Sequence, residues 1–237
     1  MLLKVCKVLW FMFARQFAYG WLRLVRSPRL QARLAIDYRN WANYTLGVFG
    51  VDLTVRGREH IPAGSDRRLV IMSNHQSQLD IPAIAGALDR LCGFVAKREL
   101  TRIPLLSYWM RQIGCVTIDR ADKRGAHKAL EKAAGEMTHP LAVFPEGTRS
   151  KDGSLLPFKL GGSRLAVLSQ AIILPVLIEG TRDAAENRKP GSSGKRIPVR
   201  VTLFPALDTR GMDESKPNLN AIKDYVERCW RNPSAPT

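Results

Sequence analysis

At 237 residues with 45% hydrophobic content, the chain is long enough to close one sizeable core without disulfide or metal staples. Cys6, Cys92, Cys115 and Cys229 are scattered, with no CxxC pair and no histidine at ligand spacing, which argues against a disulfide framework or a zinc module and for a reducing compartment. A formal charge of +16 points to an anionic partner, whether nucleic acid, a membrane surface or a phosphorylated substrate.

The distribution of that charge separates the three. The first 36 residues hold seven Lys or Arg and no acid, mixed with Leu, Val, Trp, Phe and Met, an apolar content that nucleic-acid-binding segments lack. Lys4, Lys7 and Arg15 interrupt the run before it approaches the about 18 apolar residues of a bilayer span, so a single transmembrane helix is not expected. Lys7 also breaks the apolar core that a cleaved signal peptide needs, and no small-x-small site follows. At about 100° per residue, Lys4, Lys7, Arg15 and Arg26 fall on one side of a helix. Leu9, Trp10, Phe13, Phe17, Trp21 and Leu24 lie opposite, although Phe11 and Leu22 spoil the polar side. Such a helix fits interfacial docking on anionic phospholipids better than packing on its own domain. Ser27-Pro28 ends or bends it, and Leu30 to Phe49 continues as a second helix.

From Val51 onward, short β-rich runs alternate with helical patterns. "VDLTVRG" and "RRLVIMSN" predict strands joined by the turn Ile61-Pro62-Ala63-Gly64. Helix "LDIPAIAGALDR", strand "CGFVAK", helix "PLLSYWMRQI", strand "GCVTID" and helix "KRGAHKALEKAAGEM" follow. Then come strand "LAVF", the loop "PEGTRSKDGSLLPFKLGG", helix "SRLAVLSQ" and strand "IILPVLIEG". A loose loop from Thr181 to Arg196 precedes the late strand "IPVRVTLFP" and the last helix, "NLNAIKDYVERCWR". The pattern predicts an α/β fold: a mixed, largely parallel sheet flanked by helices, with the amphipathic membrane-docking segment at residues 1–49 and the catalytic domain at 50–237.

Two polar loops, "SNHQSQLD" and "PEGTRS", each follow an apolar strand. Ligands of open α/β sheets sit at such strand ends, so the loops are expected to face one site although 71 residues separate His75 from Glu146. His75 and Asp80 suit a general base and the carboxylate that orients it. Taken alone the pair also reads as helix capping by Asn74, Ser77 or Asp80. In the second loop Gly147 permits a tight turn, Thr148 and backbone amides can donate, and Arg149 offers a fork for phosphate. Glu146 suits a polar headgroup or the positioning of Arg149, and the bland alternative for the tetrapeptide is a surface β-turn.

In combination, "NHQSQLD" and "FPEGTRS", with "AKRELTRIP" and "GCVTIDR" between them and "PFKLGGSRLA" and "ILPVLI" after, resemble the glycerolipid acyltransferase family, specifically its 1-acyl-glycerol-3-phosphate acyltransferases. The resemblance covers roughly Leu53 to Gly180. It implies that His75 is the general base supported by Asp80, and that Glu146, Gly147, Thr148, Arg149 and Arg120 bind the phosphate and glycerol of lysophosphatidic acid. Lys97, after a strand, is a further candidate phosphate contact on its charge and position, or a solvated surface lysine. The donor is then acyl-CoA or acyl-carrier protein, a thioester already activated, so no enzyme nucleophile and no cofactor is expected, consistent with the lack of GxSxG. Pro175, in the last block, is expected to shape the acyl-donor side. The family works on the cytoplasmic face of a membrane. Cys115 and Thr117 stand where bulkier apolar residues are common, which touches substrate preference rather than reaction class. The same chemistry on another lyso-lipid, such as lyso-ornithine lipid, and a non-catalytic basic surface protein are the competing readings. The four histidines lack ligand spacing, and no metal site or nucleic-acid partner is expected. "GSSGKR" has the wrong glycine spacing for a P-loop.

Overall fold

A computed structural model of the chain describes residues 1–24, 30–64, 68–88, 90–186 and 196–233. The expected break at Ser27-Pro28, Arg26 on the basic side, and most of the loop after Glu186, with "GSSGK" in it, lie outside the described residues. The chain divides into two compact units, each assembled from three stretches.

The first unit comprises Met1–Thr54, Ser77–Leu91 and Glu179–Val201. It holds helices α1 (Leu2–Leu24), α2 (Leu30–Phe49) and α3 (Asp80–Leu88). Strand β1 (Val51–Arg56) is followed by a 3₁₀ turn at Arg58–His60 and neighbours the late strand Ile197–Leu203. Both N-terminal helices stand where the periodicity puts them, and among the described residues no helix is long and apolar enough to cross a membrane.

Helices α1 and α2 close on Met12, Tyr19, Leu34, Tyr38 and Leu46, all buried, and Phe11 stacks on Tyr44 with centroids 4.8 Å apart. The other side of α1 is open: Leu2, Trp10, Phe17 and Trp21 are 66–79% exposed. Arg15, expected to face a headgroup layer, instead approaches the buried Asp37 of α2 at 3.4 Å, with Arg33 on the same carboxylate at 2.9 Å. Lys4 lies 5.4 Å from the Phe49 ring centroid. A buried acid must be paired, and that requirement draws the cation inward where a helical wheel points it out. Lys7 stays exposed.

The second unit comprises Val55–Gln76, Cys92–Ile178 and Thr202–Thr237. It contains β2 (Leu69–Ser73), β3 (Gly93–Lys97), α4 (Pro104–Gln112), β4 (Val116–Ile118), α5 (Lys123–Glu136), β5 (Leu141–Val143), α6 (Gly161–Leu168) and β6 (Ile172–Glu179). The short helix α7 (Thr181–Glu186) and strand β7 (Ile197–Leu203) intervene before β8 (Leu207–Asp208) and α8 (Lys216–Arg231). The strands run β6-β2-β5-β3-β4, every adjacent pair parallel, with β8 antiparallel on the start of β6. The sheet is therefore mixed and largely parallel, as the alternation of patterns predicts.

All five residues of β2 are buried, so both faces of the strand are covered, the condition that makes a parallel strand read as an unbroken apolar run. One face packs Val70, Met72, Val143 and Ile173 against Leu130 of α5, Leu165 of α6 and Ile222 and Trp230 of α8. Each such side chain contributes about 1.5–3 kcal/mol by leaving water.

Two features differ from the sequence expectation. The stretch from Thr181, expected to be loose loop, opens as α7, with Ala184 N–H donating to the Gly180 carbonyl and Arg182 pairing with Glu186 at 3.1 Å. The polar composition of the segment masks one turn and a half of helix, too short to show a period. Strand β8 was not legible for the same reason, having two residues paired as Ile172 with Asp208 and Ile173 with Leu207.

Candidate active site

Strands β2 and β5 are parallel neighbours in register at Met72 and Val143, so the segments leaving both strands depart from the same end of the sheet. After β2 the chain reads Asn74-His75, and after β5 it reads Phe144-Pro145-Glu146-Gly147. Strands β3 and β4 point the same way and deliver Lys97 and, two residues past Ile118, Arg120 to that end.

Asn74, 1% exposed, carries the ladder one step beyond its last backbone pair. Its Nδ2 donates to the Ile178 carbonyl at 2.8 Å and its Oδ1 accepts the Ile178 N–H at 2.7 Å. Both backbone groups of a buried strand end are thereby satisfied by one side chain. The next residue, His75, is fixed on three sides. Its N–H donates to Glu146 Oε1 at 2.9 Å, its carbonyl accepts from Ser150 N–H at 2.8 Å, and its ring stacks on Phe144 with centroids 3.9 Å apart and planes 13° from parallel.

Glu146 is buried, and its second oxygen accepts the Leu156 N–H at 3.2 Å. Its carboxylate therefore braces the two loops to each other, through charge-assisted bonds of about 1.5–3 kcal/mol each. Neither bond is foreseen by the sequence, which offers a headgroup or Arg149 as the partner. The turn itself is closed by Gly147 N–H donating to the Phe144 carbonyl at 3.0 Å. Gly147 has φ +71°, which calls for glycine, and a Cβ there would stand 2.8 Å from Lys159 Nζ, so a larger residue would push the end of that lysine aside. Arg120 donates from Nη1 to the Gly147 carbonyl. Thr148 and Arg149 are exposed at the head of the turn.

Lys97 stands apart from this hydrogen-bonded group: its Nζ is 2.8 Å from Glu99, and that contact holds the Glu99 carboxyl below its ordinary range. Asp80 belongs to the first unit, is fully buried and opens α3. Its Oδ2 accepts the Ser77 N–H at 2.8 Å, its Oδ1 accepts the Thr181 hydroxyl, and Ser77 Oγ accepts Leu79 N–H at 3.1 Å. Ser77 and Asp80 thus form a reciprocal cap on α3, so the capping reading of this stretch holds alongside any chemistry. Among the described residues no group of three or more His, Cys, Asp and Glu side chains is placed to hold a metal ion.

A family model described as Acyltransferase matches residues 52–179, more than half of the chain. The chain belongs to the Acyltransferase family. This acyltransferase is 30% identical over 208 residues to the 1-acyl-sn-glycerol-3-phosphate acyltransferase of Limnanthes douglasii, covering 86% of its own length and 70% of the relative's. It is 32% identical over 184 residues to the human 1-acyl-sn-glycerol-3-phosphate acyltransferase alpha, covering 76% and 62% respectively. Its fold matches the crystal structure of the 1-acyl-sn-glycerophosphate acyltransferase of Thermotoga maritima with a TM-score of 0.70 at 27% identity, over 98% of this chain and 97% of that one.

Within the acyltransferase, Phe144, Lys159 and Thr181 have structural roles that the sequence does not single out, and Asn74, a candidate helix cap by sequence, instead bonds Ile178 of β6. Asn74 had a visible signal, an amide directly after a buried strand. Lys159 and Thr181 had none, because both reach their partners through the tertiary fold.

Proposed function

We propose that the chain transfers an acyl group from acyl-CoA or acyl-carrier protein to the sn-2 hydroxyl of 1-acyl-sn-glycerol-3-phosphate, giving phosphatidic acid. The observation that carries this reading is the pinning of His75 against the Glu146 turn, beside Arg120 and Arg149, in a chain whose relatives bear that activity in their names. His75, oriented by Asp80, takes the hydroxyl proton as the acceptor oxygen attacks the thioester carbonyl. The C–S bond then breaks, and the leaving thiolate takes up a proton. A base of this kind contributes about 10²–10⁴ in rate. Arg149 and Arg120 hold the acceptor phosphate with Thr148 at the turn that Gly147 permits, Lys97 adds charge at the same rim, and Glu146 serves by keeping His75 in place.

Residues 1–49 dock the chain on the cytoplasmic face of a membrane, and 50–237 perform the chemistry. The exposed Leu2, Trp10, Phe17 and Trp21 support the first part, since so large an apolar face seeks a partner and the acceptor is itself a lipid. No nucleic acid and no cofactor enters the scheme, because the thioester arrives activated.

The test is transfer of labelled acyl groups from each donor to the acceptor, with wild type and His75→Ala in parallel. Loss of transfer in His75→Ala with retained fold supports the base. A variant retaining near-normal rate refutes it. Arg149→Ala should raise the KM for the phosphate-bearing acceptor, and equal wild-type rates with a lyso-lipid lacking a phosphomonoester would reassign the acceptor. For docking, flotation with anionic vesicles should fall on Trp10→Ala together with Phe17→Ala.

A further inference from the structure

We propose that Thr181 is a positioning residue for acyl transfer, fixing the Asp80 carboxylate through its hydroxyl; the inference rests on the His75 and Asp80 reading above. Two anchors of Asp80 differ in origin. The Ser77 N–H on Oδ2 is local and belongs to the cap of α3, which an aspartate at this position makes for structural reasons alone. The Thr181 hydroxyl on Oδ1 comes from 101 residues further along the chain and serves no cap of α3. A carboxylate turns readily about its last torsion, and an anchor on each oxygen, drawn from different elements, sets its plane. Both groups are fully buried at 0% exposure, which removes solvent as a replacement donor.

The backbone before Thr181 is built to deliver it. Gly180 has φ +86°, and a Cβ there would lie 2.4 Å from the Pro198 carbonyl oxygen, so glycine alone lets the chain pass β7 and turn into α7 with Thr181 first. Three residues upstream, Ile178 is gripped in both directions by the Asn74 amide. Asn74, the residue before His75, is thereby fixed to β6. Thr181, which composition assigns to the start of a loose loop, becomes a support for Asp80.

Thr181→Val removes the hydroxyl at nearly constant volume, and Thr181→Ser restores it. The full chain is assayed for kcat and KM with 1-acyl-sn-glycerol-3-phosphate and acyl-CoA or acyl-carrier protein, alongside Asp80→Asn, Asp80→Asn with Thr181→Val, and His75→Ala. The expected result is a fall in kcat of about tenfold or more in Thr181→Val, with KM for both substrates within about twofold and Thr181→Ser within about threefold of wild type. Thr181→Val should cost nothing further in the Asp80→Asn background, because its partner is already altered. Wild-type kcat in Thr181→Val, equal loss in the Val and Ser variants, or a full additional loss in the double variant overturns the inference alone when His75→Ala is dead. No transfer by wild type, or transfer retained in His75→Ala, overturns the acyl-transfer reading and this inference with it.

Discussion

Replacing Asn74 with alanine removes the amide that satisfies both backbone groups of Ile178. The site is 1% exposed, so a carbonyl and an N–H are left buried without partners. At about 1–3 kcal/mol for each orphaned group, the expected destabilisation is about 2–6 kcal/mol, a large share of the about 5–15 kcal/mol that holds a domain together. For a chain of this size about 1 kcal/mol lowers Tm by roughly 2–4 °C, so a mid-range loss of about 4 kcal/mol predicts a fall on the order of 8–16 °C. Activity measured well below that Tm should also fall, because Asn74 sets the backbone entering His75. Thermal melting and urea denaturation of wild type and Asn74→Ala read the effect, and Asn74→Asp separates its two halves. The aspartate keeps the acceptor for Ile178 N–H but turns a carboxylate on the Ile178 carbonyl, so it should be at least as unstable as alanine at neutral pH. A change below about 1 kcal/mol in Asn74→Ala would show that water replaces the amide, and the reasoning from orphaned backbone groups would be refuted.

Gly147→Ala should cost about 1 kcal/mol or more from the left-handed backbone alone and displace the Lys159 ammonium, visible as a lower Tm with a raised acceptor KM. The Asp152 carboxyl is pulled down to about 2, chiefly by the Ser154 hydroxyl, then the Ser154 amide and the Ser150 hydroxyl. Its folded value lies below its unfolded one, so the order it gives to residues 150–154 is fully present above about pH 4 and is lost as the pH falls through about 2. Asp152→Asn should loosen the segment already at pH 8, read as faster tryptic cleavage after Lys151; an unchanged cleavage rate counts against the carboxylate's role. Burial pushes the Cys92 and Cys229 thiols up, and Cys115 to about 11, so at pH 8 only on the order of 10⁻³ of Cys115 is thiolate. Iodoacetamide should therefore modify the exposed Cys6 first, as peptide mapping of a time course will show.

The sequence by itself determined the element order, because hydrophobic periodicity is a local property. The apolar runs of β2 and β6 marked strands, and the helical patterns of α5 and α8 marked helices. It also determined the family, since the two polar loops and the blocks between them stand in a fixed order along the chain. Where the fold had to choose a partner, the sequence was silent. Glu146 reads as an exposed ligand beside an arginine, yet two backbone amides from other segments turn it inward and make it a brace. Arg15 reads as a surface cation, yet a buried aspartate on the next helix claims it. Thr181 reads as the start of a loop, yet the close passage of Gly180 over Pro198 delivers its hydroxyl to Asp80. In each case the deciding energy is the cost of leaving a buried polar group unpaired, and which groups are buried together is settled only when the segments pack.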